Sequence, residues 1–436
     1  MKAAVIGAGL AGCEAAWQLS IAGIAVDLYE QKPQKHSPAH KSDNFAELVC
    51  SNSLKAERLN SAAGLLKSEM LKFGSVCVNA AKKTAVPAGG ALAVDRELFS
   101  ALVTENIKAC ENITVINQEV TELPEADAVI IAAGPLASEG LSETIGKMCG
   151  QSLSFFDAAA PIVSADSIDM EYAFTQSRYD RGGEDDYINC PMDKEQYEAF
   201  YEAIINAESA PVHSFDKKKD VYEGCMPIEV LASRGKDTMR YGPLKPVGLI
   251  NPKTGHRPWA NLQLRKENAQ GTMYNLVGFQ TNLKFGEQKR VFSMFPALHD
   301  AEFLRYGVMH RNTFINSPKL LNSDFSMREN PNIFFAGQIT GVEGYMESAS
   351  AGILAGLNCA RRLKGLETLT LPEDTMMGAL SRYISDEAVA DFQPMGANFG
   401  VLPPLEEKIR DKSERYMTLA KRAIASLEKF IGDNNL

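Results

Sequence analysis

Apolar positions along the chain fall into short runs and helical stripes. The first run, Ala3 to Ile6, has the length of a strand and breaks into Gly7-Ala8-Gly9-Leu10-Ala11-Gly12. From Gly12 to Leu19 the spacing turns helical, with Ala15, Ala16 and Leu19 on one face. A second strand, Ile24 to Tyr29, follows and ends at Glu30. Gln31 to Asn44 is polar, carries Pro33 and Pro38, and is expected to be loop. Phe45 to Cys50 leads into Ser51-Asn52-Ser53, a helix-cap or turn cluster. Leu65, Leu66 and Met70 recur in a helix over about Ala62 to Phe73, and Asp95 is placed to cap a helix running to about Ala109. Ile113 to Ile116 reads as a strand, and Val129 to Gly134 as a buried strand that ends in glycine.

From about Ser152 the strand–helix alternation is lost, and aromatics, prolines and charges intersperse. Asn189 to Asn206 reads as one amphipathic helix and Thr272 to Val277 as a strand. The strand-then-glycine pattern returns at Asn332 to Gln338 and is followed by a helix of small residues, Met346 to Leu363. The N-terminus of that helix is expected to face the same crevice as Gly7 to Gly12. A connector with Pro394, Pro403 and Pro404 leads to a charged amphipathic helix, Leu405 to Phe430. The expected architecture is an α/β fold. A Rossmann-like dinucleotide-binding domain in two parts, residues 1–151 and 323–436, carries an inserted mixed α/β domain over 152–322.

The opening motif is chemically the most specific. Gly7 allows the tight turn, Gly9 lets a pyrophosphate approach the backbone, and Gly12 lets helix pack close to strand. The helix N-terminus offers free N–H groups and partial positive charge to that pyrophosphate. Glu30 stands 18 residues after Gly12, near the ~20-residue spacing of an acid that grips a ribose hydroxyl. Ala8, Leu10 and Ala11 complete the loop. Later strand ends at Gly134 and at Gly337-Gln338 suggest the layout of a flavin-adenine dinucleotide (FAD) enzyme. No second G-x-G-x-x-G exists in the sequence, so NAD(P)H is expected to meet the flavin in the open crevice.

Charge adds a partner. The 436 residues carry a net charge of −10, which by itself disfavours nucleic acid. Between Pro211 and Arg311, however, 16 Lys and Arg stand against 9 Asp and Glu. A basic region in an acidic chain suits a phosphate-bearing partner, and within it Lys217, Lys218 and Lys219 are either phosphate contacts or a solvated run. The eight cysteines form no C-x-x-C pair and no zinc spacing, so no metal is expected. No apolar run approaches the ~18 residues of a membrane span, and Met1 runs straight into the first strand; a cytoplasmic address is expected.

Four segments are more particular: Gly7 to Ala16, Ala46 to Ser53, Val86 to Arg96 and Ala336 to Tyr345. Together they closely resemble the TrmFO family of folate- and FAD-dependent tRNA (uracil-5-)-methyltransferases, related to the GidA wobble-uridine enzymes, and the resemblance runs essentially end to end. It implies that 5,10-methylenetetrahydrofolate supplies one carbon, that reduced flavin supplies electrons, and that tRNA gains 5-methyluridine in its T-loop. It also implies that Cys225, in Glu-Gly-Cys-Met-Pro, is the nucleophile, that Cys50 is the second active-site cysteine, and that His310 stacks on the pterin of the folate. Arg311 is a candidate to hold the folate glutamate or a phosphate. The chemistry is consistent with this, because uracil C5 is a poor nucleophile until a thiolate adds at C6. Glu223 and Glu229 oppose a reactive thiol at Cys225 unless Arg234 or Lys236 offsets them. Three rivals stand beside this expectation: a paralogous ribosomal-RNA methyltransferase, a flavin oxidoreductase acting on a small molecule, and a non-catalytic flavin-bound partner of a larger assembly.

Overall fold

The computed structural model describes the chain except for residues 38, 151–152, 159, 181–182, 184–185, 211–225, 269, 308 and 390–391; for 153–158, 180 and 309–313 it describes the backbone alone. In chain order, β1 (Lys2–Ile6), α1 (Leu10–Ile21) and β2 (Ala25–Glu30) are followed by β3 (Ser53–Ala56), α2 (Ala62–Lys72) and α3 (Val76–Lys83). Then come β4 (Ala85–Val86), β5 (Ala91–Val94), α4 (Arg96–Lys108), β6 (Ile113–Asn117), β7 (Ala128–Ile131) and α5 (Glu139–Cys149). The middle of the chain holds β8 (Leu153–Ala158), β9 (Ile162–Ser164), β10 (Phe174–Thr175), β11 (Tyr187–Met192) and α6 (Lys194–Ile205). It continues through α7 (Ile228–Ser233), α8 (Thr238–Tyr241), β12 (Ala260–Lys266), β13 (Met273–Leu276), α9 (Phe285–Phe292), β14 (Phe303–Arg305) and β15 (Met309–Phe314). The last elements are α10 (Ser317–Leu320), β16 (Ile333–Phe335), α11 (Tyr345–Leu363), α12 (Met376–Ser385) and α13 (Lys412–Asn434).

Four strands from the N-terminal part of the chain and β16 form a parallel sheet in the order β16-β7-β1-β2-β6. β7 is buried along its whole length, which is why it reads as an unbroken apolar run. The chain adds β2 and β6 on one side of β1, then β7 and β16 on the other. The carboxyl ends of β1 and β7 therefore flank a topological switch point, where open α/β sheets bind their ligands. α11 lies on α1. A Cβ at Gly352 would come 2.1 Å from the Ala11 carbonyl oxygen, and one at Gly356 would come 2.7 Å from that of Ala15. The small-residue stripe is thus a helix–helix contact rather than a helix–sheet one.

Two buried carboxylates bond to the N-termini of distant helices. Glu14 accepts from the Cys77 amide of α3 at 3.0 Å. Glu69 accepts from the Met376 and Met377 amides of α12 at 2.8 Å each.

β10-β11-β12-β13-β9-β14 make a second, antiparallel sheet. Its own core includes Phe200, Phe279, Phe292 and Phe295, whose ring centroids lie 5.0 to 6.1 Å apart in contacting pairs. β8 and β15 pair antiparallel, with Leu153 opposite Phe314. The chain segments that lead into and out of this sheet thus run side by side.

Two expectations change. Residues 189–206 are not one helix: β11 pairs with β12 as far as Met192, and α6 starts only after Asp193. Pro191 lacks the N–H a helix interior needs, and Asp193 with Gln196 forms a capping box that sets the start. The C-terminal helix begins at Lys412 under an Asp411 cap, not at Leu405. Of the two readings of Ser51 to Ser53 the turn holds: the Ser53 amide donates to Ser51 Oγ at 3.1 Å, and Ser53 starts β3, which pairs with β5.

Candidate active site

Register brings three glycine turns to one edge. Ile6 pairs with Ile131, and Ile131 with Phe335, so the chain leaves β1, β7 and β16 side by side. Gly7, Gly134 and Gly337 have φ of +98°, +69° and +85°. Gly7 is the most constrained, because a Cβ there would lie 2.7 Å from the Ala132 carbonyl oxygen. Gly12 packs beneath the turn, its would-be Cβ 1.8 Å from the Gly7 oxygen. Gly9 differs: a Cβ there would meet nothing within 4 Å. It is the N-cap of α1, with no side-chain cap and no acid in the first turn, which leaves the helix N–H groups for an anion.

Glu30, buried at the end of β2, is fixed at the foot of this turn. One carboxylate oxygen accepts from the Ala8 amide and the other from the Lys32 amide, each at 3.0 Å. The turns open onto a crevice of about 430 Å³ whose walls include Gly9, Glu30, Gly134, Gln338 and Cys50. Leu10 and Ala11 also reach it. Gln338 donates to Glu343 at 2.7 Å. An open glycine at a helix N-terminus, a buried acid behind it and a long apolar trough fit an extended dinucleotide such as FAD.

Cys50 is half-buried on the wall. Its Sγ lies 3.0 Å from Tyr345 Oη, which also accepts from the amides of Cys50 at 2.8 Å and Ser51 at 3.3 Å. Burial, and then Cys50 itself, pushes the Tyr345 phenol well above its usual value. A phenol that keeps its proton and already accepts two N–H bonds is left to aim that proton at Sγ. Guanidiniums hold the loop around Cys50. Arg96 donates to the Leu48 carbonyl at 2.7 Å and pairs with Glu267 at 2.6 Å. Arg265 donates to Ser51 and Asn52 at 3.0 Å each, and Arg305 donates to the Val49 carbonyl. Arg265 and Arg305 come from the antiparallel sheet, so the loop joins the two halves of the molecule. By contrast Cys13, Cys77, Cys190 and Cys359 are buried, and burial raises their thiols above the ordinary value.

Cys225, Lys217, Lys218 and Lys219 lie outside the described residues. His310 and Arg311 sit on β15, opposite Asp157 and Phe156 of β8 in backbone register, and their side chains lie outside the description. Several groups on this wall carried no role in the sequence reading. Tyr345 and Arg96 each end a segment that carries the family resemblance, so the signal was present; nothing local marks Arg265 or Arg305. Glu347 is buried and accepts from Lys55 Nζ at 2.7 Å and from the Ala397 amide at 3.0 Å.

Comparison with known proteins places this geometry. The family model described as glucose inhibited division protein A matches residues 2–367. The chain belongs to the GidA family. The chain is 57% identical over 428 residues to the methylenetetrahydrofolate–tRNA-(uracil-5-)-methyltransferase TrmFO of Acetivibrio thermocellus, covering 98% of each chain. It is 56% identical over 435 residues to the TrmFO of Heliobacterium modesticaldum, covering 100% of this chain and 99% of the relative. Among solved structures, Aquifex aeolicus GidA superposes with a TM-score of 0.72 at 16% identity, over 98% of this chain and 72% of that one. That likeness shows the Rossmann-like fold. No helix among the described residues is long and apolar enough to cross a membrane.

Proposed function

We propose that this protein methylates C5 of a uracil in tRNA, using 5,10-methylenetetrahydrofolate as the one-carbon donor, FAD as cofactor and NAD(P)H as reductant. The observation that carries it is Cys50, held against Tyr345 on the wall of a dinucleotide crevice, in a chain similar over its whole length to TrmFO enzymes. FAD bound there would supply the electrons that bring the folate-borne carbon to the level of a methyl group.

The chain's own residues handle the base. Cys225 is assigned as the thiolate that adds to uracil C6 and makes C5 nucleophilic. C5 then bonds to the folate-borne carbon and tetrahydrofolate is the leaving group; Cys50 is assigned to accept the C5 proton, and breaking of the C6–S bond returns the Cys225 thiolate. Arg96, Arg265 and Arg305 keep the Cys50 loop against the crevice. His310 and Arg311 are assigned to the folate, and Lys217, Lys218 and Lys219 to phosphates of the RNA. The T-loop uridine is the proposed target and the cytoplasm the proposed location, where tRNA, folate and NAD(P)H are all available.

The test is incubation with unmodified tRNA, NADPH and labelled methylenetetrahydrofolate, followed by nucleoside analysis. Labelled 5-methyluridine is expected from the wild type and none from Cys225→Ala, whose flavin remains bound and reducible. RNA carrying 5-fluorouracil at the target should form a covalent adduct with the wild type and not with Cys225→Ala. Methylation that survives Cys225→Ala would remove the nucleophile assignment.

A further inference from the structure

A second concavity, of about 780 Å³, opens on the antiparallel half of the molecule, beside the N-terminal end of β12. Trp259, just before β12, is 37% exposed, and Tyr241 at the end of α8 is 84% exposed. The Arg240 guanidinium lies 3.8 Å from the centroid of the Trp259 indole. Its Nε donates to the Trp259 carbonyl at 3.0 Å and its Nη1 pairs with Asp237 at 2.7 Å. Lys194 Nζ stands 5.6 Å over the same ring. Lys245 and Arg257 are exposed on the rim. Neither they nor Lys194 pairs with a carboxylate among the described residues. Of the two acids on the lining, Asp193 caps α6 and Glu171 is exposed at the edge, against five lining Lys and Arg; Asp237, close by, holds Arg240.

We propose that this concavity is a second RNA-binding site, taking phosphates on Lys245 and Arg257 and an unstacked base on Trp259 or Tyr241. The inference rests on the tRNA reading above. Unpaired cations interleaved with exposed aromatic faces are the chemistry of single-stranded or looped RNA recognition. In a chain of net charge −10, such a surface is not background. Position agrees with it. β12 connects the two sites, since Arg265 near its far end holds the Cys50 loop. Six residues of strand at ~3.3 Å each put Trp259 about 20 Å from that contact. Roughly six base steps of a duplex cover the same distance. RNA with its target base in the crevice can thus reach the concavity, whereas a nicotinamide held there would be too far away to reduce a flavin.

The test uses the flavin-loaded full chain with unmodified tRNA. Lys245→Glu/Arg257→Glu should weaken tRNA binding by roughly tenfold or more and flatten the dependence of log affinity on log salt by about one to two units, because two phosphate contacts are lost. Trp259→Ala should also weaken binding, and Trp259→Phe should recover most of it, because a flat ring still stacks. Flavin absorbance and the rate of NADPH oxidation without RNA should stay at wild-type values. Unchanged tRNA affinity and salt slope in the double variant would overturn the proposal. So would a raised KM for NADPH or folate with tRNA affinity intact, which would make the concavity a dinucleotide or folate site. Wild-type protein that makes no 5-methyluridine in tRNA would instead remove the underlying reading, an outcome visible before any variant is made.

Discussion

Gly9 and Gly12 of the opening turn should fail in different ways when replaced. At Gly12, a Cβ would sit 1.8 Å from the Gly7 oxygen, and that oxygen cannot move freely because the amide of its own peptide plane, Ala8 N–H, is bonded to the buried Glu30 at 3.0 Å. Gly12→Ala should therefore carry an overpacking cost near the top of the usual range, about 3 kcal/mol, and lower Tm by several degrees even without flavin. Gly9 has no neighbour within 4 Å of its would-be Cβ and an extended backbone, φ −71° and ψ −174°. Gly9→Leu should change the stability of the flavin-free protein by no more than about 1 kcal/mol, the scale of a lost N-cap preference. It should nevertheless abolish flavin binding, because the added side chain occupies the space the pyrophosphate needs. The wild type should gain about 2.7 kcal/mol of stability at a hundredfold excess of flavin over Kd, and Gly9→Leu should gain none. Thermal or urea unfolding of flavin-stripped and flavin-saturated protein, followed beside flavin absorbance, measures both effects. A Gly9→Leu protein that stays yellow, or a flavin-free Gly12→Ala protein that melts with the wild type, would refute the division of labour.

Two other perturbations follow from the site. Tyr345→Phe leaves the Cys50 and Ser51 amides without their acceptor, an unsatisfied-donor cost of about 1–3 kcal/mol. Methylation should fall roughly tenfold or more while the flavin spectrum holds, and Cys50 alkylation by iodoacetamide should change rate; unaltered turnover would mean the hydroxyl only packs. Burial raises the Glu69 carboxyl from 4.5 to about 8 against the pull of the Met377 and Met376 amides, and raises Glu14 to about 7. The folded state then holds protons that the unfolded chain releases above pH 4.5, so their contribution to stability is lost as pH rises towards 8. Tm should fall across that window, and Glu69→Gln should flatten part of the fall; an unchanged slope would show that Glu69 does not titrate there. Lys67, lowered by burial to about 8, acts the other way and favours folding only as pH climbs from 8 towards 10.5.

Much of this protein is local and was legible along the chain. A strand, a glycine turn, a helix and a strand ending in Glu30 are each set by neighbours in sequence, because turn geometry and helix spacing are short-range properties. The same holds for the strands that end at Gly134 and Gly337, and for the Asp95 cap, whose side chain accepts from Glu97 and Leu98 within one turn. The start of the last helix is itself local, set by the Asp411 cap, but over 189–192 a long-range pairing outweighed the local pattern. β11 is a strand because β12 pairs with it residue for residue from Tyr187 to Met192, and that partner lies some seventy residues away. Only the tertiary structure decided which residues surround Cys50. Tyr345 comes from the start of α11, Arg96 from α4, and Arg265 and Arg305 from two strands of the other sheet. Their meeting depends on the order β16-β7-β1-β2-β6 and on β12 reaching across to the loop at Ser51. The concavity at Trp259 has the same origin. Lys194, Arg240 and Trp259 are unremarkable one by one in sequence, and they form a surface because α6, α8 and the start of β12 pack at one corner of the antiparallel sheet.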